Sequence, residues 1–115
     1  LAAKDIAVNN IDEKFLKTVE NILNKHLTDP NFNAESFSKL IGMSRMQLHR
    51  KLTALTNLSS NAFIRSQRLK LAVKLLKNTD VNSSEAAYSC GFNSPSYFIK
   101  CFKEVYGKTP SEYIS

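Results

Sequence analysis

Two short stretches carry side chains that can do recognition chemistry: SRMQLHRKL, residues 44–52, and SPSYFIKCFK, residues 94–103. On a helix advancing about 100° per residue, Leu48, Leu52 and Leu55 fall within about 60° of one another, with Met46, His49, Arg50 and Thr53 opposite. In the second stretch Phe98, Phe102 and Val105 take the inner side, and Ser96, Ile99, Lys100 and Lys103 the outer one. Neither outer face has an acid. Their chemistry is therefore hydrogen-bond donation and apolar contact. Arg50 can give two parallel hydrogen bonds to guanine O6 and N7. His49 can donate to or accept from a base edge. Met46 and Ile99 can pack on a thymine methyl, and Lys100 and Lys103 suit guanine or phosphate. A helix opening at Ser44 or Ser94 would turn free N–H groups and its positive dipole end toward a phosphate. The plain alternative is an ordinary solvated face, on which Ile99 is an isolated exposed apolar residue.

The two stretches sit in an internal repeat, which favours the first explanation. Gly42 and Gly91 match at a separation of 49, as do Met43 and Phe92. Past the turn the separation becomes 50, pairing Leu48 with Phe98, Arg50 with Lys100, Leu52 with Phe102 and Leu55 with Val105. Ser59 with Thr109, Phe63 with Tyr113 and Ile64 with Ile114 continue the register. One residue inserted in the second turn accounts for the shift. Each copy reads as a short helix, a glycine-containing turn and a longer helix. That is the outline of a helix-turn-helix, whose second helix lies in the DNA major groove.

The elements that must position these faces are all helical, and no period-two pattern survives. Residues 1–10 read as a linker from a missing upstream domain, since the chain opens on Leu1 rather than Met. From Ile11 an apolar stripe runs through Phe15, Leu16, Val19, Ile22, Leu23, His26 and Leu27, with Asp12 and Glu13 at its positive end. A short helix follows from Ala34 to Ile41, with Asn33 as N-cap and Gly42 as stop. Ser44 opens a helix to about Asn57. Ser60 or Asn61 caps a long helix through Leu76, whose apolar residues occupy more than one stripe and suit a strut between the repeats. Ser83 or Ser84 starts a short helix to Cys90, and Ser94 a longer one to Tyr106. Thr109 and Pro110 open a final turn. The expectation is an all-α fold of about seven helices: a first helix-turn-helix subdomain over 11–58, a connecting helix over 59–78, and a second subdomain over 79–115.

Charge points to a polyanion. The net charge is +6, and between Ser36 and Thr79 there are nine Lys or Arg residues and no Asp or Glu. Such a run suits nucleic acid better than a membrane surface. Most of the basic residues on the long helix, Arg65, Arg68, Lys70, Lys74 and Lys77, read as solvated. A helical module that binds only protein is the non-DNA alternative, and the acid-free run counts against it. Catalysis, cofactors and metals find no support: His26 and His49 are too few and too separated, and no glycine-rich phosphate loop occurs. Cys90 and Cys101 lack metal spacing and read as buried thiols in a reducing cytoplasm. No stretch has the roughly 18 apolar residues of a membrane span.

GMSRMQLHRKLTALTNLSSNAFIRSQRLKLAVKLL and GFNSPSYFIKCFKEVYGKTPSEY together resemble the AraC-type (AraC/XylS) DNA-binding domain, from about Phe32 to Tyr113. The second is the more specific: Gly91-Phe92, Tyr97-Phe98, Phe102-Lys103, Gly107, Thr109-Pro110 and Tyr113. DEKFLKTVENILNKHLTDPNF is similar to the lead-in found where this domain ends a hybrid two-component regulator. The resemblance implies two helix-turn-helix units in successive major-groove segments of double-stranded DNA, and bacterial transcription control in the cytoplasm. It places base contacts on Met46, His49 and Arg50, and on Pro95, Ser96, Ile99 and Lys100. Ser44, Arg45, Lys51, Thr53, Ser94 and Lys103 are the expected backbone contacts. RNA polymerase is a further partner of such a regulator, with dimerisation left to upstream domains and no membrane contact by this one. The site should be non-palindromic or a direct repeat. A stand-alone ligand-sensing regulator is the alternative parent protein. Two departures stand out. Ser83 and Ala86 replace larger aliphatics, which predicts loose packing of that helix. Lys100 replaces a usual arginine and so gives up a bidentate donor.

Overall fold

The computed structural model describes residues 10–115, and side chains from Asp12 onward. The expected linker thus lies outside the described residues, apart from Asn10. Among the described residues there are seven helices and no strand. They are α1 (Asn10–His26), α2 (Ala34–Ile41), α3 (Arg45–Thr56), α4 (Ser60–Asn78), α5 (Ser83–Ser89), α6 (Pro95–Tyr106) and α7 (Pro110–Ile114). None is long and apolar enough to cross a membrane.

Local capping chemistry sets most boundaries. Asn33 and Ser36 form a reciprocal capping box at α2, and Gly42 ends that helix in the left-handed region at φ 77°. Ser44 and Gln47 form the same box at α3, which Asn57 closes at φ 62°. One expected cap shifts. Ser59, not Ser60 or Asn61, caps α4, and its Oγ takes the Ala62 N–H. α5 starts at Ser83, as expected, and Asn82 caps it: Glu85 stands at the third helical position and accepts the Asn82 N–H at 2.9 Å. Thr109 and Glu112 box α7 behind Pro110, as expected.

Two cores divide the chain, and α4 belongs to both. Phe15, Val19 and Ile22 of α1 meet Phe32, Phe37 of α2, Leu48 and Leu52 of α3, and Phe63 and Ile64 from the start of α4. Leu69, Ala72 and Leu76 from the rest of α4 join Ala86, Ala87, Cys90, Phe92, Phe98, Cys101 and Phe102. This is why α4 shows no single apolar stripe: successive turns face different neighbours. Phe102 is fully buried and touches Phe98, Tyr106 and Tyr113, at ring-centroid distances of 4.6–5.7 Å. Burying such a ring is worth about 1.5–3 kcal/mol.

Three expectations meet corrections or refinements here. Val105 is 60% exposed rather than inward. It lies at the correct angle, but α6 outruns its support, and Tyr106 is the residue that turns onto Tyr113 of α7. The helix expected to pack loosely does not: Ala86 and Ala87 are fully buried, and their small side chains let α5 lie close to α4 and α6. His26 is half-buried and stacks on Phe32 at 6.0 Å, a packing role.

Candidate nucleic-acid interface

The first unit presents Arg45, Met46, Gln47, His49 and Arg50 to solvent, while Leu48 and Leu52 anchor α3 from beneath. Met46 is 62% exposed, high for an apolar side chain on a helix this well anchored. The capping box uses the Ser44 N–H on Gln47 Oε1 and the Gln47 N–H on Ser44 Oγ. That leaves the amides of Arg45 and Met46 as the free donors at the leading end of α3. Two expected backbone contacts face elsewhere. Lys51 Nζ lies 3.2 Å from Asp12 Oδ1 and 5.5 Å from the Phe15 ring centroid, so it holds α3 to α1. Thr53 is half-buried, and its hydroxyl donates to the Leu58 carbonyl at 3.0 Å. The helical wheel gave the direction of each side chain but could not show that α1 docks on that flank.

The second unit presents Ser96, Tyr97, Lys100 and Lys103, with Pro95 and Ile99 partly covered. Ile99 packs along the edge of the second core, so its exposed portion is small for a free thymine contact. Ser94 Oγ takes the Tyr97 N–H at 3.3 Å, and Pro95 has no N–H to give. The leading end of α6 is therefore poorer in donors than that of α3.

Both faces carry exposed cations, but α3 has no acid while α6 has exposed Glu104 one turn after Lys100. Arg45, Arg50 and Lys100 are exposed and in no ion pair among the described residues. Lys103 is also exposed and feels Glu112 at longer range. The Glu112 carboxyl sits below its usual value because the Thr109 N–H, and then the Thr109 hydroxyl, bond to its charged form. Exposed cations left unpaired by their own chain are available to an external anion.

Sequence reasoning missed three residues. Arg65 and Tyr97 line a cleft between the units together with Asn61 and Ser94. Arg68, expected among the solvated residues of α4, is half-buried and donates to the backbone of the α1–α2 connection. Nothing in the local pattern of α4 marks it, because its partners lie about forty positions away. Cys90 and Cys101 are buried free thiols as expected, and burial pushes the Cys90 thiol up to about 11. No group of three or more potential metal ligands occurs among the described residues.

Comparison with known proteins agrees with this geometry. A family model described as a helix-turn-helix domain matches residues 37–115. Histidine kinase P4 of Formosa agariphila is 38% identical over 98% of this chain, which spans only 8% of that kinase. The C-terminal domain of the two-component response regulator yesN from Fusobacterium nucleatum superposes with a TM-score of 0.80 at 25% identity, over 89% of this chain and 99% of that one. The DNA-binding domain of the global transcriptional factor AdpA, solved with a target DNA, has a TM-score of 0.78 at 29% identity, over 87% and 88%. The paired helix-turn-helix units, their unpaired cations and these matches lead to one assignment: the chain belongs to the AraC-type helix-turn-helix family of DNA-binding transcription regulators.

Proposed function

We propose that this chain reads a specific double-stranded DNA sequence by setting α3 and α6 in two successive major-groove segments. The observation that carries this is the recurrence, at matched positions of two repeated units, of an exposed face with unpaired cations, acid-free on α3 and joined on α6 by one exposed acid, Glu104. The long dimension of the chain, 41 Å, accommodates two recognition helices about 34 Å apart, one turn of DNA. In the first segment Met46, His49 and Arg50 contact bases, and Arg45 and the α3 amides hold phosphate. In the second Ser96 and Lys100 face bases, Pro95 and Ile99 border them, and Ser94 and Lys103 lie toward phosphate. Arg50 is the main discriminator, since a planar fork distinguishes guanine more strictly than a lysine does. Ser44 acts through its cap, by fixing where α3 begins. No step of this function calls for a cofactor or for catalysis.

The chain acts in the cytoplasm as the output domain of a two-component regulator. The similarity to histidine kinase P4 over nearly the whole chain, and to the yesN output domain, supports this parent over a stand-alone ligand-sensing regulator. Dimerisation belongs to the upstream domains, and contact with RNA polymerase follows DNA binding. Electrophoretic titration of duplexes at several salt concentrations tests the DNA reading. Specific binding with a steep salt dependence is expected; affinity that is equal for all sequences would contradict it. A receiver domain preceding Leu1 in the parent sequence is expected, and a β-barrel ligand domain there would contradict the two-component assignment.

A further inference from the structure

Arg68 lies near the middle of α4, between the residues that enter the first core and those that enter the second. Among the described residues its guanidinium faces no carboxylate at ion-pair distance. Instead Nε donates to the Leu27 carbonyl at 2.9 Å, and Nη2 donates to the carbonyls of Asp29 at 2.9 Å and Phe32 at 3.1 Å. All three acceptors belong to the segment between α1 and α2, where backbone carbonyls have no helical partner. Burial draws the guanidinium below its usual value, partly offset by Cys90 and Asp29.

The second unit closes on the same point. Gly91, in the turn before α6, has φ +100°, and a Cβ placed on it would lie 2.6 Å from the Leu27 carbonyl oxygen and 2.7 Å from Arg68 Nε. The turn of the second unit therefore rests directly on the guanidinium and on one of the carbonyls it holds. Pro95, four residues later, begins α6. Arg68 thus touches the backbone of the first unit, the backbone of the second, and the helix that packs on both.

We infer that Arg68 is a positioning residue that fixes α6 relative to α3, and so sets the spacing between the two DNA segments this chain can read together. This rests on the two-groove reading above. A single helix running through two separate cores leaves bending and twisting between them as the soft motion. One inserted base pair moves a half-site by about 3.4 Å and roughly 34°. A planar fork bonded to three carbonyls and capped by a glycine opposes a motion of that size. Lysine at this position has no planar fork, and methionine has no donor.

Two readouts test this on chains with and without Arg68→Met. The first needs no DNA: spin labels on Lys39→Cys in α2 and Glu104→Cys in α6, with Cys90 and Cys101 left buried, report the distance distribution between units. A narrow distribution is expected for the parent chain and one about twice as wide for Arg68→Met, since removing the fork populates other unit placements. The second is affinity for duplexes with zero, one or two base pairs inserted between the segments. The parent chain should lose about tenfold or more per insertion and Arg68→Met less than about threefold, while affinity for a duplex carrying one segment stays within about twofold. A folded Arg68→Met chain with an unchanged distance distribution and an unchanged spacing penalty overturns the inference. Should Arg68→Met fail to fold, Arg68→Lys is measured instead; collapse of both makes Arg68 a folding residue and also overturns it. If the parent chain binds no two-part duplex, the two-groove reading fails, and the label distances still decide whether Arg68 holds the units.

Discussion

Lys51 Nζ lies 3.2 Å from Asp12 Oδ1, with both side chains partly covered, and so a cation of α3 is paired within the chain itself. Lys103, by contrast, stands exposed on α6. The two lysines should separate cleanly. Lys51→Ala should lower stability by about 0.5–1 kcal/mol, as a part-exposed pair does, and leave the slope of log affinity against log salt unchanged. Lys103→Ala should leave stability alone and flatten that slope by about one unit. Thermal unfolding and salt titrations of binding check both. A flattened slope for Lys51→Ala would return it to the phosphate contacts.

Phe102 and Val105 share an angular sector of α6 but not an environment. Phe102→Ala should cost about 3–5 kcal/mol, the usual range for emptying a fully buried aromatic site. Val105→Ala should stay within about 0.5 kcal/mol, as surface substitutions do. Urea unfolding of each variant is the measurement. A large loss at Val105 would mean that something covers the last turn of α6.

This pair also shows how far a sequence can be read. Periodicity and repeat register located α3 and α6, because an amphipathic helix records the direction of its own core in its spacing. Caps were legible where one polar residue competed, as at Asn33, Ser44 and Thr109. The cap slipped where several polar residues stood together, at Ser59-Ser60-Asn61, while the start of α5 at Ser83 was legible and only its cap, Asn82, needed the Glu85 carboxylate to pick it out. The candidate base-contacting residues of α3 emerged correctly as exposed. Lys51, Thr53 and Ile99 did not, because the coverage of a helix flank is set by elements distant in sequence. Arg68 was illegible for the same reason: three carbonyls from the α1–α2 connection define its role, and carbonyls leave no trace in residue type.

Glu112 carries a pH signature. Bonds from Thr109 hold its carboxyl below the ordinary value of 4.5, and in the unfolded chain those bonds are gone. A group whose folded value is depressed stabilises the fold above its unfolded value and loses that contribution as pH falls through the folded one. The capping box of α7 should therefore hold at neutral pH and weaken below about pH 4.5. NMR titration of the Glu112 carboxyl checks this. A midpoint below 4.5 is expected, moving back toward it in Thr109→Ala, which removes the hydroxyl donor. A midpoint at or above the ordinary value would contradict the capping geometry.

Selection of bound sequences from a random duplex pool, run in parallel on the parent chain and on Arg50→Ala, bears most directly on how this domain works. The parent chain should enrich a non-palindromic two-part site with unlike halves centred about 10 base pairs apart. Arg50→Ala should bind that site more weakly by about 1–3 kcal/mol and lose discrimination at one base pair in one half only. An inverted palindrome, or a base preference untouched by Arg50→Ala, would contradict recognition by two unlike helices with Arg50 as the principal reader.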